Sequence, residues 1–127
     1  MPSHATLEAF IARVESNDHV GAIRDFYTEG ASMQENFEPP RTGRDALMAH
    51  EARALARTAS VTSQCVRPVF VNGDHVVIRW IFEFTAKDGT RARIEELAYQ
   101  RWDGDKIAQE QFFYDPKQFT FRPPAQA

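Results

Sequence analysis

Leu7, Phe10, Ile11 and Val14 recur at i, i+3, i+4 and i+7 and define one face of an amphipathic helix. Glu8, Arg13 and Glu15 fall off that face. Residues 1–5 precede the pattern and are expected to be loose. Ser16-Asn17-Asp18 interrupts the period and offers N-cap side chains for a second short helix. That helix is carried by Val20, Ile23, Phe26 and Tyr27 and is ended by Gly30. The period then changes to two. Ala31–Phe37 reads as a strand with Met33 and Glu35 on one face, Gln34 and Asn36 on the other. Glu38-Pro39-Pro40-Arg41 is a loop, because proline cannot donate a ladder hydrogen bond. Thr42-Gly43-Arg44-Asp45 has the form of a capping box with Thr42 as the cap, opening a third helix to about Ala56.

The rest of the chain alternates strand patterns with turn signals. Ser60–Phe70 is a strand weakened by Pro68, and Asn72-Gly73 turns it into a partner that starts at His75. His75–Trp102 holds two long strands joined at Asp88-Gly89. A two-residue turn there sets Phe84 opposite Arg93, Phe82 opposite Glu95, Trp80 opposite Leu97 and Ile78 opposite Tyr99, all on one covered face. A second two-residue turn at Gly104-Asp105 sets Tyr99 opposite Glu110, Leu97 opposite Phe112 and Glu95 opposite Tyr114. Ile81, Ile94, Ala98, Trp102 and Phe113 then form an outer face too apolar for ordinary solvation, which points to a homodimer. Residues 115–127 read as an irregular tail that docks through Phe119 and Phe121. Three helices followed by a mostly antiparallel meander is an α+β plan, with helices over one sheet face and an open mouth as the default ligand site.

Composition narrows the function classes. The 127 residues fit a single domain, 1–127, able to bury a core. A net charge of −3 with 15 scattered Lys and Arg argues against a nucleic-acid footprint. No apolar run reaches the roughly 18–20 residues a membrane span needs. The amino-terminal residues lack a secretory pattern and Cys65 is the only cysteine, so a cytoplasmic location is expected. Cys65 reads as a buried inert thiol. Histidines 4, 19, 50 and 75 show no metal-ligand spacing, and the six glycines form no phosphate-binding loop. No cofactor and no metal are expected.

Three segments carry a resemblance. AIRDFYTEGASMQEN is similar to the helix-then-strand entry of ketosteroid isomerases, and MQENFEPPRTGRDAL to the strand, Pro-Pro loop and helix start of limonene epoxide hydrolases. RWDGDKIAQEQFFYDP is similar to a closing hairpin shared by such proteins. In this order they resemble the nuclear transport factor 2-like superfamily and, within it, the SnoaL-like group, over about residues 7–115. The resemblance implies a cone-shaped, cystatin-like fold with three helices on a strongly curved sheet, and pairing through the outer sheet face. It places Glu35 where ketosteroid isomerases carry a carboxylate base. Their first-helix Tyr matches Ile11, and their acidic donor falls near Ala98 or Tyr99. The epoxide hydrolase triad matches Trp80, Phe82 and Phe112 and is absent, and the SnoaL-type His and Asp match Glu110 and Phe112.

The expected site is therefore a set of polar groups on an apolar interior. Glu35, Glu110 and Tyr99 are the catalytic candidates. Tyr27, Met33, His50, Trp80, Phe82, Glu95, Leu97, Phe112 and Tyr114 are the candidate ligand contacts. Carboxylates crowded in a poorly hydrated pocket resist ionising together, which yields a base and an acid without a cofactor. That suffices for isomerisation, cyclisation or elimination of a small, largely apolar molecule. The alternatives are acids paired with Arg93, Arg101 or Arg67, His50 on the helix surface, and a non-catalytic ligand-binding or dimerisation module. An open pocket with Glu35 at its base favours the enzyme; one packed shut by Trp80, Phe82 and Phe112 favours the module.

Overall fold

The computed structural model describes residues 1–124. Helix α1 runs His4–Glu15, α2 His19–Phe26 and α3 Arg44–Ala56. The strands are β1 Tyr27–Glu35, β2 Arg41–Thr42, β3 Thr58–Asn72, β4 His75–Ala86, β5 Arg91–Asp103 and β6 Lys106–Phe113. They form one curved six-stranded sheet in the order β2-β1-β6-β5-β4-β3, antiparallel except where β1 lies parallel to β6. The three helices cover its concave face, the α+β cone that the pattern predicts. Leu7, Phe10, Ile11 and Val14 are all buried. Phe10 sets its edge against Phe26, Tyr27 and Trp102, with ring centroids 5.6, 6.2 and 5.8 Å apart.

The amino-terminal residues are not loose. Ser3 caps α1 by accepting from Thr6 N at 3.1 Å, and its own N–H donates to Asp105 at 2.9 Å. Asp18 caps α2. Helix α3 does not use the expected box: Gly43, at φ 102°, is the cap, and no side chain bonds there. Pro68 sits on β3, an edge strand, where the ladder shifts between Val66 and Phe70.

The central hairpin departs from the expected register on β5 alone. Phe84 pairs with Ala92, Phe82 with Ile94, Trp80 with Glu96 and Ile78 with Ala98. The turn has three residues, Lys87-Asp88-Gly89. Asp88 Oδ1 accepts from Thr90 N and Oγ1 at 3.0 and 2.6 Å, and Gly89 takes φ 88° as a three-residue hairpin requires. On the other flank the Gly104-Asp105 turn does pair Asp103 with Lys106, but a bulge between Arg101 and Trp102 then shifts the ladder so that Gln100 meets Glu110. Both neighbours thus agree on a β5 turned over by one residue. Ala92, Ile94, Ala98, Gln100 and Trp102 are buried, and Leu97 and Tyr99 are 45% and 47% exposed. The reason is electrostatic. The outward row carries Arg91, Arg93 and Arg101, whereas the inward row carries no cation.

Candidate functional site

Between the helices and the sheet lies a cavity of about 490 Å³. Tyr27, Met33 and Glu35 reach it from β1, His50 and Glu51 from α3, and Trp80, Phe82 and Phe84 from β4. Glu96, Glu110 and Phe112 complete the sheet side, His19 comes from α2, and Arg41 follows the Pro-Pro loop. Phe119 and Phe121 close it from the carboxyl-terminal segment. Trp80 and Phe82 stack at 5.6 Å and give the wall a flat aromatic face.

Four of the expected site residues, Tyr99, Leu97, Glu95 and Tyr114, are not among those that line the cavity. Tyr99, Leu97 and Glu95 point to the outer face because β5 is turned over. Glu95 is there an ordinary surface carboxylate, bonded to Arg79 at 3.0 Å and Arg93 at 2.6 Å, which hold it below the usual carboxylate range. Its neighbour Glu96 takes the interior place, unforeseen from the turn signal. The three arginines of the outward row are the sequence signal that points to Glu96. Tyr114 stands just beyond β6, its backbone held by Asn36 at 3.0 Å. Its phenol is pushed up to about 12 by burial and by the charges of Glu35 and Glu96.

Glu110 is at the cavity floor, 1% exposed. Tyr27 donates its hydroxyl to one carboxyl oxygen, and Gln100 Nε2 donates to the other at 2.6 Å. Trp102 Nε1 in turn donates to Gln100 Oε1 at 2.9 Å. Burial raises Glu110 to about 7, against the lowering effect of those two donors. Glu96 is different in kind: among the described residues it has no hydrogen-bond or ion-pair partner. Burial, then the charges of Glu110, Glu35 and Glu51, raise it to about 8. Glu35 is more open and meets Arg41 at 3.7 Å. Arg41 Nε is buried with no hydrogen-bond partner among the described residues. Across the cavity, His19 bonds Glu51 at 3.2 Å and Ser63 at 2.8 Å, joining α2, α3 and β3. No sequence signal announced that network, since helix packing alone brings its members together.

The two raised carboxyls set a pH dependence. Each keeps its proton in the fold above the ordinary value of 4.5, to about 7 and about 8. Between 4.5 and those values the folded chain binds more protons than the unfolded one, so stability falls as pH rises through that window. The surface acids Glu8, Asp74 and Glu95 are lowered by their cationic partners, so their small contributions fade in acid instead. The melting temperature is expected to peak near about pH 5 and decline to about pH 8, with Glu96→Gln flattening the upper part. A melting temperature that is level or rising across that interval contradicts the buried acids.

A cone of three helices on a curved, mixed sheet, with a polar-floored cavity inside, is the architecture of nuclear transport factor 2-like domains. The chain belongs to the SnoaL-like domain family, whose model matches residues 7–110. No curated protein matches it. Among solved structures it is similar to a Mesorhizobium loti protein named for SnoaL-like polyketide cyclases, with 22% identity and TM-score 0.72 over 87% of this chain and 97% of that one. It is similar to a Catenulispora acidiphila protein with a ketosteroid isomerase-like fold, in complex with trimethylamine, at 19% identity and TM-score 0.76 over 91% and 89%. TerC, co-crystallised with polyporic acid, matches at 16% identity and TM-score 0.76 over 91% and 92%. At these identities the likeness is one of fold. Among the described residues no helix is long and apolar enough to cross a membrane.

Proposed function

We propose that the cavity binds a small, largely apolar molecule bearing a carbonyl and catalyses proton transfer on it without a cofactor, as an isomerase, cyclase or lyase. The observation that carries this is the pair of unlike carboxyls facing one aromatic cavity. Glu96 is held neutral by burial and has no partner among the described residues, so it can donate a hydrogen bond to a carbonyl oxygen. Glu35, beside the Arg41 guanidinium, is the carboxylate placed to take the proton. Glu96 thereby takes the part of polarising acid, for which Glu110 or Tyr99 was the expectation. Glu110 is engaged by Tyr27 and Gln100 and serves to fix the floor. The about 490 Å³ of open space also supports this reading, since Trp80, Phe82 and Phe112 line the cavity and leave it unfilled. The test is exchange. Small cyclic ketones and enones are incubated with the protein in heavy water, and deuterium beside the carbonyl is followed by mass spectrometry. Exchange that depends on Glu35 supports the reading; none above buffer with any probe that binds argues for a non-catalytic module.

A homodimer through the outer sheet face belongs to the same proposal, with a changed set of residues. Ile94, Ala98 and Trp102 are interior, so the face is made instead by Phe70, Leu97, Tyr99 and Phe113, between 36% and 63% exposed. Light scattering at micromolar concentration is expected to give about twice the 14.5 kDa chain mass, and Leu97→Glu to return it to one. A monomer in the parent counts against the pairing.

A further inference from the structure

The carboxyl-terminal segment after β6 lies beyond the residues that match the family, yet it is built into the sheet and the cavity. Strand β6 last pairs with β5 at Leu97–Phe113, which leaves the β5 backbone from Ile94 toward Arg91 without a strand on that side. The segment supplies the missing partners. The side-chain amide of Gln118 acts as a peptide group: its Oε1 accepts from Glu95 N at 2.8 Å and its Nε2 donates to Glu95 O at 3.1 Å. Four residues on, Arg122 and Arg91 exchange backbone hydrogen bonds of 2.8 and 2.9 Å in an antiparallel bridge. Between these two anchors Phe119 and Phe121 reach the cavity. Phe119 packs on Phe84 at 6.0 Å and on Tyr114 at 5.6 Å. Both phenylalanines keep more than a third of their surface in water, 46% and 39%, as befits the rim of an opening.

We propose that Pro116–Arg122 is the closing wall of the cavity, that Phe119 and Phe121 control how fast a ligand escapes, and that Gln118 is a positioning residue for Glu96. Gln118 holds both backbone polar groups of Glu95, so it fixes the strand one residue from the Glu96 carboxyl. The two rings line the same cavity as Glu96, and in that position they limit the water that reaches its carboxyl. Among the described residues the segment is hydrogen-bonded to β5 at two places, and both its phenylalanines are partly exposed, so it can open locally at small cost. Entry and exit then need only this segment to lift, while the helices and the sheet stay in place.

Two readouts on the full-length chain test this. The first needs no ligand. The Glu96 carboxyl is followed by carbon-13 NMR across pH, its resonance identified by its loss in Glu96→Gln. The parent midpoint is expected near about 8. In the double variant Phe119→Ala/Phe121→Ala it is expected to fall by roughly one unit or more, as water reaches the group. Gln118→Ala is expected to move it in the same direction, while Gln118→Glu at low pH, where the side chain is protonated and keeps one donor and one acceptor, restores the amide resonance position of Glu95. A midpoint unchanged in both alanine variants overturns the proposal. The second readout presupposes that the cavity binds ligand, as proposed above. Nile red, a neutral apolar dye, is bound to the parent and its release timed by stopped flow. Release is expected to be about tenfold faster in the double variant, equivalent to about 1.4 kcal/mol. Dye that binds the parent but leaves both proteins at one rate overturns the wall and spares the cavity. Dye that does not bind the parent overturns the part about ligand escape and the cavity reading with it. Both rings are partly exposed, so the alanine variants are expected to fold; amide spectra confirm it.

Discussion

Glu35→Gln is expected to abolish deuterium exchange while leaving the protein folded and able to bind its probes. Glutamine keeps the size of the side chain and its contact with Arg41 but cannot take a proton at neutral pH. General-base steps contribute about 100- to 10,000-fold in rate, so the loss should be of that order. A rival account exists on the same residues. Glu35 and Arg41 stand 3.7 Å apart, both partly exposed, and such pairs are worth about 0–1 kcal/mol. If the pair is only structural, Glu35→Gln lowers the melting temperature slightly and leaves exchange and binding alone. Arg41→Gln separates the two accounts further. It removes the charge attraction of the pair, as Glu35→Gln does, so a structural role gives both variants a similar small loss of melting temperature and neither a defect in exchange. Unchanged exchange in Glu35→Gln sinks the catalytic assignment.

The largest expected effect on stability comes from Glu110→Leu. Glu110 accepts from Tyr27 and from Gln100, and both donors are buried with it. Leucine removes the two acceptors at once and leaves two buried donors unpaired. Each costs about 1–3 kcal/mol, so the fold should lose about 2–6 kcal/mol. For a domain of this size that is a fall of roughly 10 °C in melting temperature. Glu110→Gln should lose far less, because its amide oxygen can accept from Gln100 and its amide nitrogen can donate to the Tyr27 oxygen. It should also remove the part of the pH dependence that ends near about 7. Equal melting temperatures for Glu110→Leu and the parent would mean that the Tyr27–Glu110–Gln100 chain holds nothing together. The order parent, glutamine, leucine is the signature of a floor fixed by hydrogen bonds.

Glu95 and Glu96 show how close the sequence came to the site and why it missed. The presence of an acid on the covered side of the second hairpin strand was legible from the pattern, but its identity depended on the width of one turn. Asp88-Gly89 signals a hairpin equally well with two or three turn residues. The choice was made by Asp88 bonding Thr90, and by a bulge on the far side of the same strand. One residue of slip exchanges every side chain between faces. It therefore moved Glu95, Leu97 and Tyr99 out together and brought in Glu96, Gln100 and Trp102. The first and last strands had no such ambiguity. Met33 and Glu35 share a face whatever their partner does, and Glu110 and Phe112 kept the inward side because the bulge compensates for the turned β5.

What the sequence determined by itself is local and periodic. The buried face of α1, the course of α3 and the order of the five longer strands were legible locally, because a helix repeats every 3.6 residues and a strand every two; the family was legible only as a resemblance of three short segments. The tertiary structure decided whatever depends on two distant segments agreeing. It chose the register of β5, where the cost of burying three arginines outweighed the preference for the tightest turn. It joined His19 to Glu51 and Ser63 across three elements. It also set Gln118 against Glu95, a contact no period encodes, because a side-chain amide there replaces a strand that has already ended.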